Sequence, residues 1–377
     1  MVSIQLPRPT AVPLIAIGGD LKCRPALADG GMAHVADEIG DLADPDNQDA
    51  LEDFVEQHRP AGIVRDAHPG YFSSMLAQRI ADERGIELIT VQHHRAHVAA
   101  VCLEHGLYHE PVVGLAFDGT GFGDDGTAWG GELFSGSLDD GLVRRAHFAP
   151  LPLPGGDAAI RQPWRIALAL LLERGMPHDT IEGWLALRKV DPGDLDLLLR
   201  SLTSDMPMAR STSLGRWFDA VSALLGVRTQ AQFEAQPAID LQNLAQQQDV
   251  HGLTAQWPFR VESNADGLLQ IDFPNLVQDA LSAPEHAPEL AAAFHVAAAQ
   301  ATASVAIELA AQASTDKVLA AGGCFLNSLF EGLLVERLHA AGLQYLKSNK
   351  LPVGDQAIAL GQIGLALNHE PLPRDKG

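Results

Sequence analysis

Cysteine is scarce: Cys23, Cys102 and Cys324 are the three in 377 residues, far apart and in no paired spacing. That pattern disfavours a disulfide framework and a thiolate zinc site, and it fits a reducing cytoplasm. Basic residues are also few, 26 Lys plus Arg against 48 Asp plus Glu, for a net charge of −22. Binding to a phosphate backbone depends on Lys and Arg displacing counterions, so neither nucleic acid nor an anionic membrane surface is expected as a partner. The N-terminus has no apolar signal core, and the longest apolar stretches, 166–172 and 290–299, are too short or too interrupted to span a bilayer. No repeat of fixed period and no low-complexity linker occurs. What is present is length for one large or two medium domains and, at 46% hydrophobic residues, ample material for a core. The expectation is a globular, acidic, cytoplasmic protein.

The first 125 residues alternate short β-type runs with helical patterns, which indicates an α/β class. Strands are expected at 14–18, 61–66 and 87–92, and helices at 71–84 and 93–105. The run 111–118 leads into a Gly-rich turn, and 126–136 returns from it as a hairpin. The middle, about 163–248, is helical by its apolar spacing. A long Ala-rich helix at about 289–312 is followed by a strand at 317–321, a Gly322-Gly323 turn, a helix at 325–341, a strand near 344–346 and a closing helix at 356–368. The boundary between lobes falls before Pro111.

In Gln92-His93-His94-Arg95-Ala96-His97 the imidazoles of His93 and His97 sit at i and i+4, on one face of a helix, as a divalent first-row metal requires. His94 with His97, at i and i+3, competes for that role, and a pair of packing histidines is as good an account of the spacing alone. A zincin is disfavoured, because the base position after the first His holds His94.

In Asp118-Gly119-Thr120-Gly121 the glycines leave backbone N–H groups free to converge on a phosphate, as they do again at Gly130-Gly131 ahead of Glu132. β-type residues follow, so this is not a dinucleotide fingerprint, and no Gly-Lys-Ser/Thr marks a P-loop. Asp118, ending a buried strand, suits a metal or a turn cap. Gly322-Gly323 joins strand to helix, where a nucleotide phosphate or ribose is the natural occupant. Asp355 precedes a helix, so an N-cap role explains it without any function. Lys22, after the first strand, either meets a phosphate or is a solvated surface charge.

The order of these segments is more specific than any one of them. Gly18-Gly-Asp-Leu-Lys22, Gln92-His-His-Arg-Ala-His97, Phe117-Asp-Gly-Thr-Gly121, Gly322-Gly-Cys-Phe-Leu-Asn327 and Gly354-Asp-Gln-Ala357 together resemble the carbamoyltransferase domain of the HypF family of nickel–iron hydrogenase maturation factors. Ile39-Gly-Asp-Leu42, Asp66-Ala-His-Pro-Gly-Tyr71, Arg161-Gln-Pro-Trp-Arg165 and the segment from Ser213 through Asp219 extend the resemblance from about residue 14 to 362.

The fold this implies is α/β, two ribonuclease-H-like lobes of the actin-like, Hsp70-like ATPase superfamily with a helical insertion. The lobes would be 1–110, with the closing helix 355–370 packed on it, and 111–354, with the insertion at about 160–250. The resemblance makes His93, His97, Asp118 and Asp355 ligands of iron or zinc. It places ATP or AMP, as the carbamoyl-adenylate, against Lys22, Gly119, Thr120, Gly121, Gly130, Gly131, Glu132, Asp219, Gly322, Gly323 and Asn327. The implied activity is transfer of a carbamoyl group to the C-terminal cysteine thiolate of HypE, and the nucleophile therefore belongs to the partner. The dispersed cysteines exclude the family's Cys-x-x-Cys zinc fingers, and the length leaves no room for the acylphosphatase and adenylate-forming domains. Carbamoyl-adenylate is then expected from a separate adenylate-forming protein or full-length HypF. Glu234 is a less certain site member, because Ala235 and Pro237 depart from the family pattern. Two alternatives stand: a non-catalytic nucleotide-binding scaffold for HypE, and a tRNA threonylcarbamoyl transferase-like enzyme, which the net charge opposes.

Overall fold

The computed structural model describes residues 1–188, 190–202, 208–251, 257–282 and 284–368. In chain order the elements are β1 (Val2–Gln5), β2 (Leu14–Ala16), β3 (Ala26–Asp29), β4 (Met32–Val35), α1 (Pro45–His58), β5 (Gly62–Asp66), α2 (Phe72–Arg84), β6 (Glu87–Val91) and α3 (His93–His105). Then come β7 (Val112–Phe122), β8 (Ala128–Ser137), β9 (Gly141–Phe148), β10 (Leu151–Pro152), α4 (Asp157–Arg161), α5 (Trp164–Glu173), α6 (His178–Arg188), α7 (Pro192–Leu202), β11 (Arg210–Ser211), α8 (Leu214–Leu224) and α9 (Gln236–Ala245). The chain continues through β12 (Arg260–Ser263), β13 (Leu269–Asp272), α10 (Leu276–Ser282), α11 (Ala287–Ala313), β14 (Lys317–Ala321), α12 (Ser328–Ala340), β15 (Gln344–Lys347) and α13 (Ile358–Ala366). The last residues expected for the closing helix, 369–370, lie outside the described residues.

Two sheets share one plan. The first runs β1-β4-β3-β2-β5-β6, and the second contains the path β9-β8-β7-β14-β15. In each, three consecutive strands pair antiparallel (β2, β3, β4 and β7, β8, β9), and two more add in parallel to the first of the three. This is the ribonuclease-H-like strand order, once per sheet. Strands β1, β3 and β4 have no counterpart among the strands expected from sequence, since each is only four residues long.

Helices α3 and α13 fill the space between the sheets, α13 against β2 to β6 and α3 against β7 and β14. Small residues make that contact close: a Cβ on Gly361 would lie 1.7 Å from the carbonyl oxygen of Ala96. The two helices therefore start side by side, which brings the residues around His93 and Asp355 to the same end of the fold. Helices α1 and α2 cover the outer face of the first sheet with Leu51, Val55, Leu76 and Ile80 against Ile15 and Ile63. The far side of the second sheet carries the larger core, with Phe117, Phe148, Trp217, Phe218, Phe294 and Phe330. Helix α11 belongs to it. By length and composition this helix could cross a bilayer, which the broken apolar stretches did not suggest, but 78% of its apolar window is buried inside the fold.

Two local expectations are corrected. The Gly-rich segment after 118 is not the hairpin turn: β7 continues to Phe122, with a bulge between Phe117 and Gly121, and the chain reverses further on, where Gly123 N–H donates to the Thr127 carbonyl at 3.0 Å. The helix expected from 325 starts at Ser328 instead, because Asn327 caps it by accepting from the Phe330 N–H at 3.0 Å, and Gly323–Leu326 forms a 3₁₀ turn.

Candidate metal and nucleotide centre

Helix α3 begins at a side-chain cap. Gln92 Oε1 accepts from the Arg95 N–H at 2.9 Å, and its Nε2 donates to the Phe122 carbonyl at 3.0 Å, so one residue fixes both the helix start and the end of β7. One turn of that helix projects His93 and His97 to the same side, toward Asp118 at the β7 bulge and Asp355 ahead of α13. His97 Nε2 lies 3.7 Å from Asp118 Oδ2 and 3.5 Å from Asp355 Oδ1, and His93 Nε2 lies 3.8 Å from both carboxylates. Asp355 does not cap its helix by side chain, so the bland account of it fails.

These four residues fit a metal. The Nε2 atoms of His93 and His97 are buried and make no hydrogen bond. A tetrahedral ion with bonds of about 2.0–2.2 Å needs ligand edges of about 3.3–3.6 Å, close to the separations found. Imidazole plus carboxylate suits iron or zinc. His93 is oriented by a residue that sequence reasoning left without a role: Asp66 Oδ2 accepts from its Nδ1 at 2.7 Å, both groups being buried. A carboxylate on the far ring nitrogen fixes the tautomer that leaves Nε2 for a metal. The signal for Asp66 was its place at the end of β5, inside a segment matched to the family.

His94, the competing histidine, points elsewhere. It packs on Trp129, and a Cβ on Gly121 would lie 2.5 Å from its Cε1. Burial first, and then the neighbouring His93 and His97, hold His94 well below the usual imidazole range. Asp118 behaves oppositely: burial pushes its carboxyl up, but His93 and His97 outweigh that and hold it well below the usual carboxylate range. Burial likewise opposes the charged form of His93, yet Asp66 and Asp118 keep that group raised well above its ordinary value. The carboxylates thus favour protonated imidazoles in the cluster, and a dication bound there would replace those protons.

The glycine segments gather on the other side of Asp118. The N–H of Gly323 donates to Asp118 Oδ1 at 3.3 Å, so one carboxylate faces the histidines and the Gly322-Gly323 turn together. Gly322 has φ +103, and a Cβ there would lie 2.2 Å from the Phe117 carbonyl oxygen, so no other residue fits. A Cβ on Gly130 would lie 2.5 Å from the Asp118 carbonyl oxygen, and one on Gly131 would lie 2.3 Å from that of Thr212. Ser213, the N-cap of α8, donates from Oγ to the Asp118 carbonyl at 2.6 Å. Gly119, Thr120 and Gly121 follow Asp118 along the bulge, and Asp219 lies on α8, 3.0 Å from Arg216.

Four expected nucleotide residues already have protein partners, Asp219 in Arg216 and three more. Glu132 accepts from Arg144 Nε at 2.6 Å, from Thr212 Oγ1 and from the N–H groups of Gly130 and Gly131. Asn327 holds the Phe330 N–H and donates to His295 Nε2 at 3.0 Å. Lys22, half-exposed and left-handed at φ +51, pairs with Glu234 at 3.5 Å, which joins the loop after β2 to the segment before α9.

The family of this geometry is decided by comparison with known proteins. The description "Carbamoyltransferase, Kae1-like Domain, second subdomain" matches residues 114–362, and "HypF Kae1-like domain" matches 9–104. The chain belongs to the HypF carbamoyltransferase family. A HypF homolog of Cupriavidus necator is 38% identical to this HypF-family chain over 94% of it and 91% of the homolog. HypF2 of the same bacterium is 36% identical over 95% of this chain but 47% of its own length, and HypF of Synechocystis is 32% identical over 96% and 48%. The chain spans about half the length of those two curated relatives. Full-length HypF in a phosphate- and nucleotide-bound crystal form superposes with a TM-score of 0.83 at 29% identity, covering 97% of this chain and 56% of that one. HypF of T. kodakarensis matches equally well. The two-lobed Kae1-like α/β fold implied by the sequence resemblance is thus the observed one.

Proposed function

We propose that this chain transfers a carbamoyl group from carbamoyl-adenylate to the C-terminal cysteine thiolate of HypE. The observation that carries this reading is the position of Asp118, whose two oxygens face, respectively, the His93/His97 pair and the Gly323 N–H. A metal-type centre and an anion-type turn share one residue, as the transfer of an acyl group off a phosphate requires. A solved full-length HypF is a nucleotide-bound form, which supports a nucleotide as a ligand in this family.

The thiolate sulfur forms a bond to the carbamoyl carbon, the bond from that carbon to the phosphate oxygen breaks, and AMP leaves with the electron pair. A divalent ion held by His93, His97, Asp118 and Asp355 supplies Lewis acidity toward a carbonyl or phosphoryl oxygen. Asp66 keeps the His93 ring aimed. The backbone N–H groups of the bulge at 119–120 are the donors for the charge that collects on the leaving AMP, whereas those of Gly322 and Gly323 are given to the Val353 carbonyl and to Asp118. Internal thiols do not compete, because burial pushes Cys23 and Cys102 up to about 12 and raises Cys324 as well.

The test is direct. Purified chain, supplied with carbamoyl-adenylate and HypE, is expected to yield HypE carrying a thiocarboxamide on its terminal cysteine, read by intact-protein mass spectrometry. Binding of HypE and nucleotide without label transfer would replace this reading with the scaffold one.

A further inference from the structure

Arg216 is a buried cation with open donors beside the reaction centre. Its side chain is 7% exposed and lies on α8, one turn before Asp219, to which Nη2 donates at 3.0 Å. The remaining inner donors, Nε and Nη1, are shut off from solvent and meet no acceptor among the described residues. A guanidinium carries five N–H donors in a planar fork, and leaving a charged donor buried without an acceptor is costly. Such groups are rare in folded proteins and call for an explanation.

Position supplies one. A Cβ on Gly119 would lie 3.8 Å from Arg216 Nη2 and would meet nothing else within 4 Å, so the bare face of Gly119 separates the guanidinium from the bulge that carries Asp118. The α8 cap holds that bulge from below through Ser213 and the Asp118 carbonyl, which fixes the distance between the arginine and the carboxylate. The surroundings are otherwise acidic, with Asp118 and Asp219 both close by, so an incoming anion needs a cation that is already in place. Arginine matches phosphate oxygens through two parallel N–H bonds, whereas an adenine edge offers it one acceptor beside a donor.

We propose that Arg216 is the cationic donor for the phosphoryl group of the bound nucleoside monophosphate, reached from the cleft across Gly119. Asp219 keeps the fork oriented through Nη2, the nitrogen that also faces Gly119. This rests on the nucleotide reading above and adds to it a residue that discriminates phosphate from nucleoside.

The experiment compares AMP with adenosine by isothermal titration calorimetry on the full chain. Wild type should prefer AMP. Arg216→Met should weaken AMP binding about 10- to 100-fold, the range for a charged hydrogen bond, and leave adenosine binding within about twofold, so that the preference collapses. Arg216→Lys, which keeps the charge but loses the fork, should restore part of the preference, and it serves as the reading if the Met variant does not fold. A role confined to holding α8 would shift both compounds together. An unchanged preference for AMP over adenosine in Arg216→Met and Arg216→Lys overturns the inference alone, while wild type that binds neither compound overturns the nucleotide reading and the inference with it.

Discussion

The same sheet plan is used twice in this molecule, and the acidic residue that follows the paired run of its first strand does different work each time. In the first sheet, Asp20 follows β2 and places both carboxylate oxygens on the start of α2, accepting from the N–H groups of Phe72 at 2.7 Å and Ser73 at 2.9 Å. In the second, Asp118 gives one oxygen to the Gly323 N–H and leaves the other facing two imidazoles. Glu132, on the neighbouring strand, is the extreme of the first kind, with every oxygen held by protein donors and an arginine. On the proposed function, the carboxylate with an open oxygen serves chemistry and the ones without serve the fold.

The strongest way to break this contrast is to neutralise the occupied group. Glu132→Gln should destabilise the chain by about 3–5 kcal/mol, since it leaves Arg144 buried with one partner fewer; denaturant unfolding reads this, and a variant as stable as wild type would erase the distinction. Asp118→Asn should do the reverse. Its folding should stay within about 1 kcal/mol of wild type, because the amide oxygen still accepts from Gly323, while metal affinity falls beyond the roughly 10- to 100-fold expected for Asp66→Asn, where only the support of His93 is lost. Competition with a chelator measures both.

Smaller effects sharpen the picture. Asp20→Ala should cost about 1 kcal/mol of stability, a typical capping loss, with no change in metal content. His295 is a buried polar group of another sort: burial pushes its imidazole down to about 4, and it donates from Nδ1 to the Ala291 carbonyl while accepting from Asn327 at Nε2. Its folded pKa lies below the unfolded value of about 6.5, so the unfolded chain takes the proton first and stability falls as pH drops through that window. Between pH 7 and 5.5 wild type should lose about 1 kcal/mol more than His295→Gln, seen as a shallower pH dependence in the variant.

Much of this was legible in the sequence, for physical reasons. Helix α3 and its His93/His97 face follow from a spacing of four, and the strands buried on both sides announce themselves as apolar runs such as 111–118. Convergence of residues 262 positions apart, His93 and Asp355, could not be read from spacing and came from the family resemblance alone. Strands β3 and β4 were missed because alternation over four residues is too short to register. Glu132 was assigned to the nucleotide with the glycines beside it, and what ties it to the fold instead, Arg144 and Thr212, arrives from other elements. Arg216 was hidden for the same reason: its significance lies in the acceptors it does not have.

The central claim is that two imidazoles and two carboxylates form one metal centre. X-ray absorption spectroscopy of the zinc-loaded chain tests it most directly. The account predicts a first shell of nitrogen and oxygen only, at about 2.0–2.1 Å, with the outer-shell scattering of two imidazoles. A sulfur shell near 2.3 Å, or a spectrum unchanged when His93 and His97 are both replaced by Ala, would contradict it.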